Sequence, residues 1–435
     1  MGADAPSGGA RAATGTGTTG TRGGALSYDD ALKAVLKAAS LMPVELVALE
    51  DALGRALAEP LVSPVALPPW DNAGMDGYAA RRVDVAGASA SSPVTLRIKG
   101  TVAAGADPAA LPTLTAGEAV RIMTGAPVPR DADVVIRVED TDGGTETVAV
   151  RDSRDALGRG NIRPRGEDID VGSTLFAPGT TMRGSHLGVL ASVGCAMVPV
   201  HRRPRVTLLS SGDELVRLDK FDEVLAGRRI VSSSSYALPP LLRDAGADVT
   251  VASLVPDTLQ DMMSAIEKVL ADGCDLLVTT GGVSVGAHDY TRDALVQLGG
   301  AVDFWRARIR PGGPIGTGHM RGVKWLGLPG NPVSSTVTAT LFAWPLIKRM
   351  GGHAHVSHHA MSVTMRERFE TPAPLTHFVR VMLERRSDGG YDARLAGAQG
   401  SNLLRPMAMA DALMIVPENL SAAMPGDVFD AVLLP

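Results

Sequence analysis

The chain has 435 residues, 45% of them hydrophobic and 20% charged, with a mean hydropathy of +0.11. That is too long for one core and too apolar for a disordered chain, so two to four domains are expected. A formal net charge of −5 offers no basic field to a polyphosphate and excludes nucleic acid as a leading partner. Cys195 and Cys274 lie far apart in apolar runs and read as buried free thiols of a reducing cytoplasm. No run approaches the ~20 apolar residues of a membrane helix, and the N-terminus lacks the basic-then-apolar order of a signal peptide. A cytoplasmic protein with no membrane partner is expected.

In chain order, residues 1–26 form a Gly-, Ala-, Thr- and Ser-rich tract without apolar periodicity, expected as a disordered tail. Ser27 is an N-cap candidate for a helix running to Ser40, and a second helix is expected over residues 49–58. Short Val-rich runs at 94–98, 119–122 and 134–138, broken by Gly and Pro, make residues 61–162 a β-rich insertion. Residues 188–200 read as a helix passing into a strand, so 27–60 and 163–203 are expected to form one discontinuous helical domain.

Residues 204–351 alternate apolar strands (206–209, 249–254, 276–279 and 323–328) with helical patterns, the mark of a multidomain α/β protein with a central doubly wound, mostly parallel sheet. Within this stretch Leu259, Met262, Met263, Ile266, Val269 and Leu270 share one helical face and are expected in the core. Residues 352–435 return to short strands, a small C-terminal β domain. His353, His355, His358 and His359 near its start raise a metal site, but without carboxylate or cysteine neighbours they read as a solvated linker.

Ligands of an open parallel sheet bind beyond the carboxyl ends of its strands, and three loops fall there. Ser210-Ser211-Gly212-Asp213-Glu214 combines a tight turn with two carboxylates that could hold Mg²⁺ or cap a helix. Gly281-Gly282-Val283-Ser284-Val285-Gly286 can fold into a nest of N–H donors with a hydroxyl, which suits an oxyanion or phosphate. It matches neither the Walker A pattern nor the dinucleotide fingerprint. Asp289 beyond it is an N-cap or a carboxylate for a bridging Mg²⁺. In Leu328-Pro329-Gly330-Asn331-Pro332-Val333-Ser334-Ser335, Asn331 fits an N-cap and Pro332 the first helical turn, an arrangement that favours an anion. Arg306, Arg308 and Arg310 alternate onto one strand face, which either meets solvent or clamps anions. The residues by themselves therefore point to a phosphorylated ligand and a divalent cation.

Three further segments complete a pattern: Trp70-Asp71-Asn72-Ala73-Gly74-Met75-Asp76-Gly77-Tyr78-Ala79, Arg121-Ile122-Met123-Thr124-Gly125-Ala126-Pro127-Val128-Pro129, and Arg165-Gly166-Glu167-Asp168. With the three loops they resemble, in order, the signature segments of the MoeA family, the molybdopterin molybdenumtransferases, which include the E domain of gephyrin. The resemblance spans residues 27–435. It implies a discontinuous helical domain, an inserted β domain, an α/β molybdopterin-binding domain and a C-terminal β-barrel. It also implies a homodimer whose cleft is shared between subunits.

The implied activity is Mg²⁺-dependent conversion of adenylated molybdopterin and molybdate to molybdenum-molybdopterin and AMP, with a molybdopterin adenylyltransferase as the delivering partner. Carried over by motif, the catalytic candidates are Asp71, Asp76, Asp168, Glu214 and Asp289. The substrate-binding candidates are Thr124, Ser211, Gly281, Gly282, Ser284, Gly286, Arg306, Arg310, Pro329, Asn331, Pro332 and Ser334. Glu214, Asp257 and Asp289 are the metal candidates. The chain departs from the family pattern at Arg306, Arg310 and Gly313, where lysines are usual, and at Trp70 and Gly74, which replace phenylalanine and alanine. Arginine keeps the charge and gains a planar fork, whereas Gly313 removes a charge. Two other functions compete: an adenylyltransferase-like enzyme, opposed by the extra domains on both sides of the α/β domain, and a non-catalytic dimeric scaffold, opposed by the retained acidic residues.

Overall fold

The computed structural model describes residues 24–37, 39–282, 290–371 and 374–434, and only the backbone of Trp305. They fall into two compact units. The first runs from the N-terminal segment to Ser40 and includes Arg203–Met350 and Val356–Pro435; the second comprises Leu41–Arg202 and Gly351–His355.

In the first unit, a six-stranded sheet takes the order Asp248–Val251, Arg205–Ser210, Leu276–Thr280, Val323–Leu328, Pro314–Met320, Ala301–Arg306. The first four strands are parallel, and Pro314–Met320 runs against both its neighbours, joining Ala301–Arg306 to the sheet through two antiparallel pairings. Every residue of Leu276–Thr280 is buried, as the continuous apolar run of a central parallel strand requires. Helix Leu259–Asp272 places Met262, Ile266 and Val269 in one core with Leu209, Leu277 and Trp325. Each such side chain contributes about 1.5–3 kcal/mol. The Asp261 N–H donates to Thr258 Oγ1 at 3.1 Å at the start of this helix, and Gly273, at φ +78°, ends it. Farther on, strands Thr376–Arg385, Tyr391–Leu395, Ala360–Met365, Val428–Leu433 and Ala412–Val416 pair in that order, and the last pairs back onto the first. That closure makes a five-stranded barrel without free edges.

The helix expected after Ser27 forms over Tyr28–Lys37, and the Asp30 N–H donates to Ser27 Oγ at 3.1 Å. It does not join residues 163–203. Its Tyr28 ring packs edge-on against Phe342 at 5.7 Å and Phe378 at 5.0 Å, so burial of an aromatic face draws it into the first unit. The expected tail is also too long by at least one residue, because Leu26 bridges Ala307; residues 1–23 lie outside the described residues.

The second unit is less helical than expected. Val44–Ala48 pairs with Met197–His201 and Leu61–Val62 with Thr174–Phe176, with the helix Gly184–Ser192 between. Residues 49–58 hold only the 3-10 turn Leu49–Ala52, since Gly54 adopts φ +74° and the Leu57 and Ala58 N–H groups donate to the Thr180 and Pro199 carbonyls. Pairing with distant segments of the same chain overrides the local helical preference. The insertion forms a five-stranded sheet in the order Val134–Arg137, Gly77–Ala80, Glu118–Ile122, Val94–Val102, Thr147–Val150.

Two of the four histidines are not solvated. His353 is buried with Nδ1 2.6 Å from Thr181 Oγ1, while His358 stacks on Trp344 at 4.1 Å with Nε2 2.6 Å from the Thr340 carbonyl. Cys274 is buried, which pushes its thiol up to about 11, but Cys195 is only half-buried and donates to the Met197 carbonyl at 3.3 Å. No helix among the described residues is long and apolar enough to cross a membrane.

Candidate active site

The three loops meet beyond the carboxyl ends of neighbouring parallel strands, where Ser210, Thr280 and Leu328 stand in register. A crevice of about 370 Å³ is lined there by Ser211, Gly212, Glu214, Asp257, Gly281, Gly282, Asn331 and Pro332. A cavity of about 680 Å³ shares Gly281, Gly282, Gly330 and Asn331 with it and adds Arg310, Gly313, Pro329, Ser334 and residues 399–402. The structure thus brings together Ser211, Glu214, Asp257, Gly281, Gly282, Arg310, Pro329, Asn331, Pro332 and Ser334. Ser284, Gly286 and Asp289 lie outside the described residues.

Local geometry explains the glycines. Gly281 and Gly282 turn through φ +86° and +65°, and a Cβ on Gly282 would overlap Thr291 Oγ1 outright, with Thr291 Cβ 3.0 Å away. The Glu214 carboxylate folds back over Gly212, where an added Cβ would lie 2.8 Å from Glu214 Oε2. Asp257 is tied to the same loop by reciprocal bonds, its Oδ2 accepting from the Asp213 N–H at 3.3 Å and its N–H donating to Asp213 Oδ1 at 3.2 Å. Glu214 and Asp257 therefore offer two hard oxygen donors in one crevice, a donor set that fits Mg²⁺. Among the described residues no three metal-ligating side chains converge, so water and phosphate oxygens would complete the coordination of such an ion.

A hydroxyl network lies buried below this floor. Thr280 Oγ1 donates to Ser210 Oγ at 2.8 Å, Ser232 and Ser235 are 2.8 Å apart, and Ser234 and Ser335 are 3.0 Å apart. Asn331 occupies the N-cap position with Pro332 next, but its amide donates to Ser401 Oγ at 3.3 Å instead of capping the helix. The barrel loop carrying Gln399, Gly400, Ser401 and Asn402 is a wall that the sequence reading missed. Its only signal is a Gly-, Ser- and Asn-bearing turn, which carries no chemistry until folding sets it beside Asn331.

The three arginines do not share the one strand face expected of them: Arg306 ends Ala301–Arg306 of the α/β sheet, Arg308 lies in a bend, and Arg310 belongs to Ile309–Arg310, which pairs with the barrel strand Thr376–Arg385. Ala307 and Ile309 between them are buried, but the chain changes sheets here, and the three do not share a task. Arg310 lines the cavity. Arg308 instead pairs with Glu418 at 3.1 Å and donates to the Ala25 carbonyl at 2.8 Å. Arg306 is not among the described residues lining either space.

Asp71, Asp76, Thr124 and Asp168 belong to the second unit. There Asn72–Ala73 pairs with Ile162–Arg163, Leu67 bridges Ile169, and the Val128 N–H donates to the Asp71 carbonyl at 2.9 Å, which joins three distant segments. Asp76 Oδ1 accepts from both the Thr124 hydroxyl and the Thr124 N–H at 2.7 Å, and these bonds hold its carboxyl below the usual range. Asp71 Oδ1 accepts from the Arg165 N–H at 2.7 Å, and Asp168 is exposed.

Three family descriptions match in succession: the MoeA N-terminal region (domain I and II) over residues 26–194, a probable molybdopterin binding domain over 207–349, and the MoeA C-terminal region (domain IV) over 362–434. The chain is 34% identical over 380 residues to molybdopterin molybdenumtransferase 2 of Mycobacterium tuberculosis, covering 86% of this chain and 91% of that protein. It belongs to the MoeA family. The molybdopterin molybdenumtransferase of Bacillus subtilis is 31% identical over 396 residues, with 90% of each chain covered. The solved MoeA structure from Pyrococcus horikoshii superposes with a TM-score of 0.81 at 26% identity, covering 94% of this chain and all of that one. As a MoeA chain the protein is a molybdopterin molybdenumtransferase of molybdenum cofactor biosynthesis, acting on molybdopterin and molybdate. The MoeA regions on both sides of the α/β domain set it apart from an adenylyltransferase built on that domain alone.

Proposed function

We propose that the smaller crevice takes the phosphate linkage of adenylated molybdopterin, with Mg²⁺ held by Glu214 and Asp257, and that the adjoining cavity takes the molybdate end. The observation carrying this reading is that two carboxylates from different loops line the same crevice as the Gly281–Gly282 turn. The turn presents main chain to the crevice, and Asn331 lines it from the third loop. Arg310 offers a planar guanidinium whose paired N–H groups suit a tetrahedral oxyanion. Mg²⁺, when bound, neutralises charge on the phosphate oxygens and favours cleavage of the linkage.

Asp71, Asp76, Thr124 and Asp168 are proposed to complete the cleft of a second copy in a homodimer. The bonds from Thr124 make Asp76 a positioning residue for its turn, while Asp71 and Asp168 remain the groups able to meet substrate. By motif alone, Asp289, Ser284 and Gly286 are assigned to the same phosphate-binding function, and Arg306 precedes the Arg310 strand in the chain. A cytoplasmic molybdopterin adenylyltransferase would supply the substrate. The test is AMP release from adenylated molybdopterin with molybdate as Mg²⁺ is varied. Glu214→Gln and Asp257→Asn should each shift the Mg²⁺ requirement upward and slow release on the order of a hundredfold at fixed Mg²⁺. An unchanged Mg²⁺ requirement in both variants would remove the metal assignment.

A further inference from the structure

Residues 24–37 run across the junction between the α/β domain and the barrel, beside the segment 306–310 that carries the arginines. The Leu26 N–H donates to the Arg306 carbonyl at 3.0 Å, and the Arg308 N–H returns a bond to the Leu26 carbonyl at 2.6 Å. Arg308 also donates through Nη1 to the Ala25 carbonyl at 2.8 Å and through Nε and Nη2 to Glu418 at 3.1 and 3.3 Å. On the other side, the Thr376 N–H donates to the Arg308 carbonyl at 3.0 Å, and Ile309–Arg310 pairs with Thr376–His377. A third tie joins the Ala307 N–H to the Gly313 carbonyl at 3.0 Å. The helix Tyr28–Lys37 then anchors the strap, its Tyr28 ring set against both Phe342 and Phe378 and buried enough that its phenol is pushed up to about 12.

Arg310, in the short strand Ile309–Arg310, follows directly from this held segment and lines both the 680 Å³ cavity and a neighbouring one of about 610 Å³ in the barrel. A lysine ammonium is a compact charge that serves from many orientations, whereas a guanidinium fork binds well only when its plane is set. Groups that recognise a ligand bidentately must be held within about 0.5 Å and 10–20° of the working geometry. An arginine at this position therefore gains more from a rigid strand than a lysine would.

We propose that the N-terminal strap, tied through Arg308 to Glu418, is a positioning element for Arg310 and sets the affinity of the site for its tetrahedral oxyanion substrate. This rests on the reading that Arg310 binds that oxyanion. Arg308 is accordingly a positioning residue, which accounts for its head group being spent on a protein carbonyl and a carboxylate.

The test is the molybdate dependence of AMP release in the full-length enzyme. Arg308→Ala is expected to raise the half-saturating molybdate concentration about tenfold, with kcat within about twofold and no change in saturation by adenylated molybdopterin. Leu26→Pro, which deletes the N–H donated to Arg306, should do the same, while Leu26→Ala, which keeps it, should behave as the parent. Adding Arg308→Ala to Arg310→Ala should cost nothing further, because the strap acts through Arg310. Should Arg308→Ala fold poorly, Glu418→Gln at its half-exposed partner reports on the same tie. The proposal is overturned if Arg310→Ala weakens molybdate saturation and neither Arg308→Ala nor Glu418→Gln does, or if they lower kcat and both saturations together. If Arg310→Ala itself leaves molybdate saturation unchanged, the reading of Arg310 fails and the strap's role fails with it.

Discussion

Gly282→Ala isolates the turn at the floor of the crevice. Placing a side chain at φ +65° costs about 1–2 kcal/mol in an L-residue. The new Cβ would also overlap Thr291 Oγ1, and Thr291 is fully buried, so the overlap cannot be relieved by swinging the side chain into water. Overpacking of this kind adds about 1–3 kcal/mol. The sum, about 2–5 kcal/mol, is a large part of the ~5–15 kcal/mol that stabilises a typical domain. Thr291→Ala removes the overlapping hydroxyl and leaves a tight contact at 3.0 Å to its Cβ, so the double variant should recover about 1 kcal/mol or more while keeping the backbone strain. Urea unfolding of the wild type, both singles and the double, read alongside AMP release, gives the coupling. A Gly282→Ala protein as stable and active as its parent would refute the reasoning, as would strictly additive effects with Thr291→Ala.

Other expectations follow from named contacts. Thr124→Ala deletes one of the two bonds accepted by Asp76 Oδ1, so the Asp76 pKa should rise toward the ordinary carboxylate value of 3.8 in an NMR titration. Because the folded value is depressed, the stabilisation it reflects is present above the unfolded pKa and is lost as pH falls through the folded one, and the variant should show less of this acid loss. Burial lowers the His358 pKa below its model-compound value of 6.5, so the unfolded state takes up a proton first as pH falls below that value. Stability should accordingly drop between pH 7 and pH 5, and His358→Leu should flatten that slope in urea midpoints measured at both. In thiol labelling of the native protein Cys195 should react well before Cys274, whose burial raises its pKa to about 11. Arg310→Lys should retain substantial activity where Arg310→Ala weakens molybdate saturation.

Much of the first unit was legible because its signals are local. The strand at 323–328 is a short, mostly apolar run, the stripe from Leu259 to Leu270 carries its own helical period, and the glycine turns demand conformations that few other residues adopt. Residues 49–58 misled because helix-forming composition there is overruled by bonds to Thr180 and Pro199, more than 100 residues away. The same holds for Arg308, whose spacing predicts one strand face shared with Arg306 and Arg310 but which lies in the bend where the chain passes from the α/β sheet to the barrel, and whose partner Glu418 is set by barrel closure. His353 and His358 sit in a polar-looking stretch that Thr181 and Trp344 cover only once the chain has folded. The Ser401 wall was hidden for a related reason: its chemistry arises from proximity to Asn331.

The most direct test of the proposed shared cleft mixes two damaged chains. Asp71→Ala lies in the second unit and Glu214→Ala in the first, so each homodimer should be inactive in AMP release. If one copy's second unit completes the other's crevice, refolding the two variants together yields heterodimers with one doubly damaged cleft and one intact cleft. Random pairing in a closed two-fold dimer makes about half the dimers mixed, so roughly a quarter of all clefts should recover activity. A mixture that stays as inactive as its parents, with heterodimers confirmed by mass, would place Asp71 and Glu214 in the same chain's site and contradict the account.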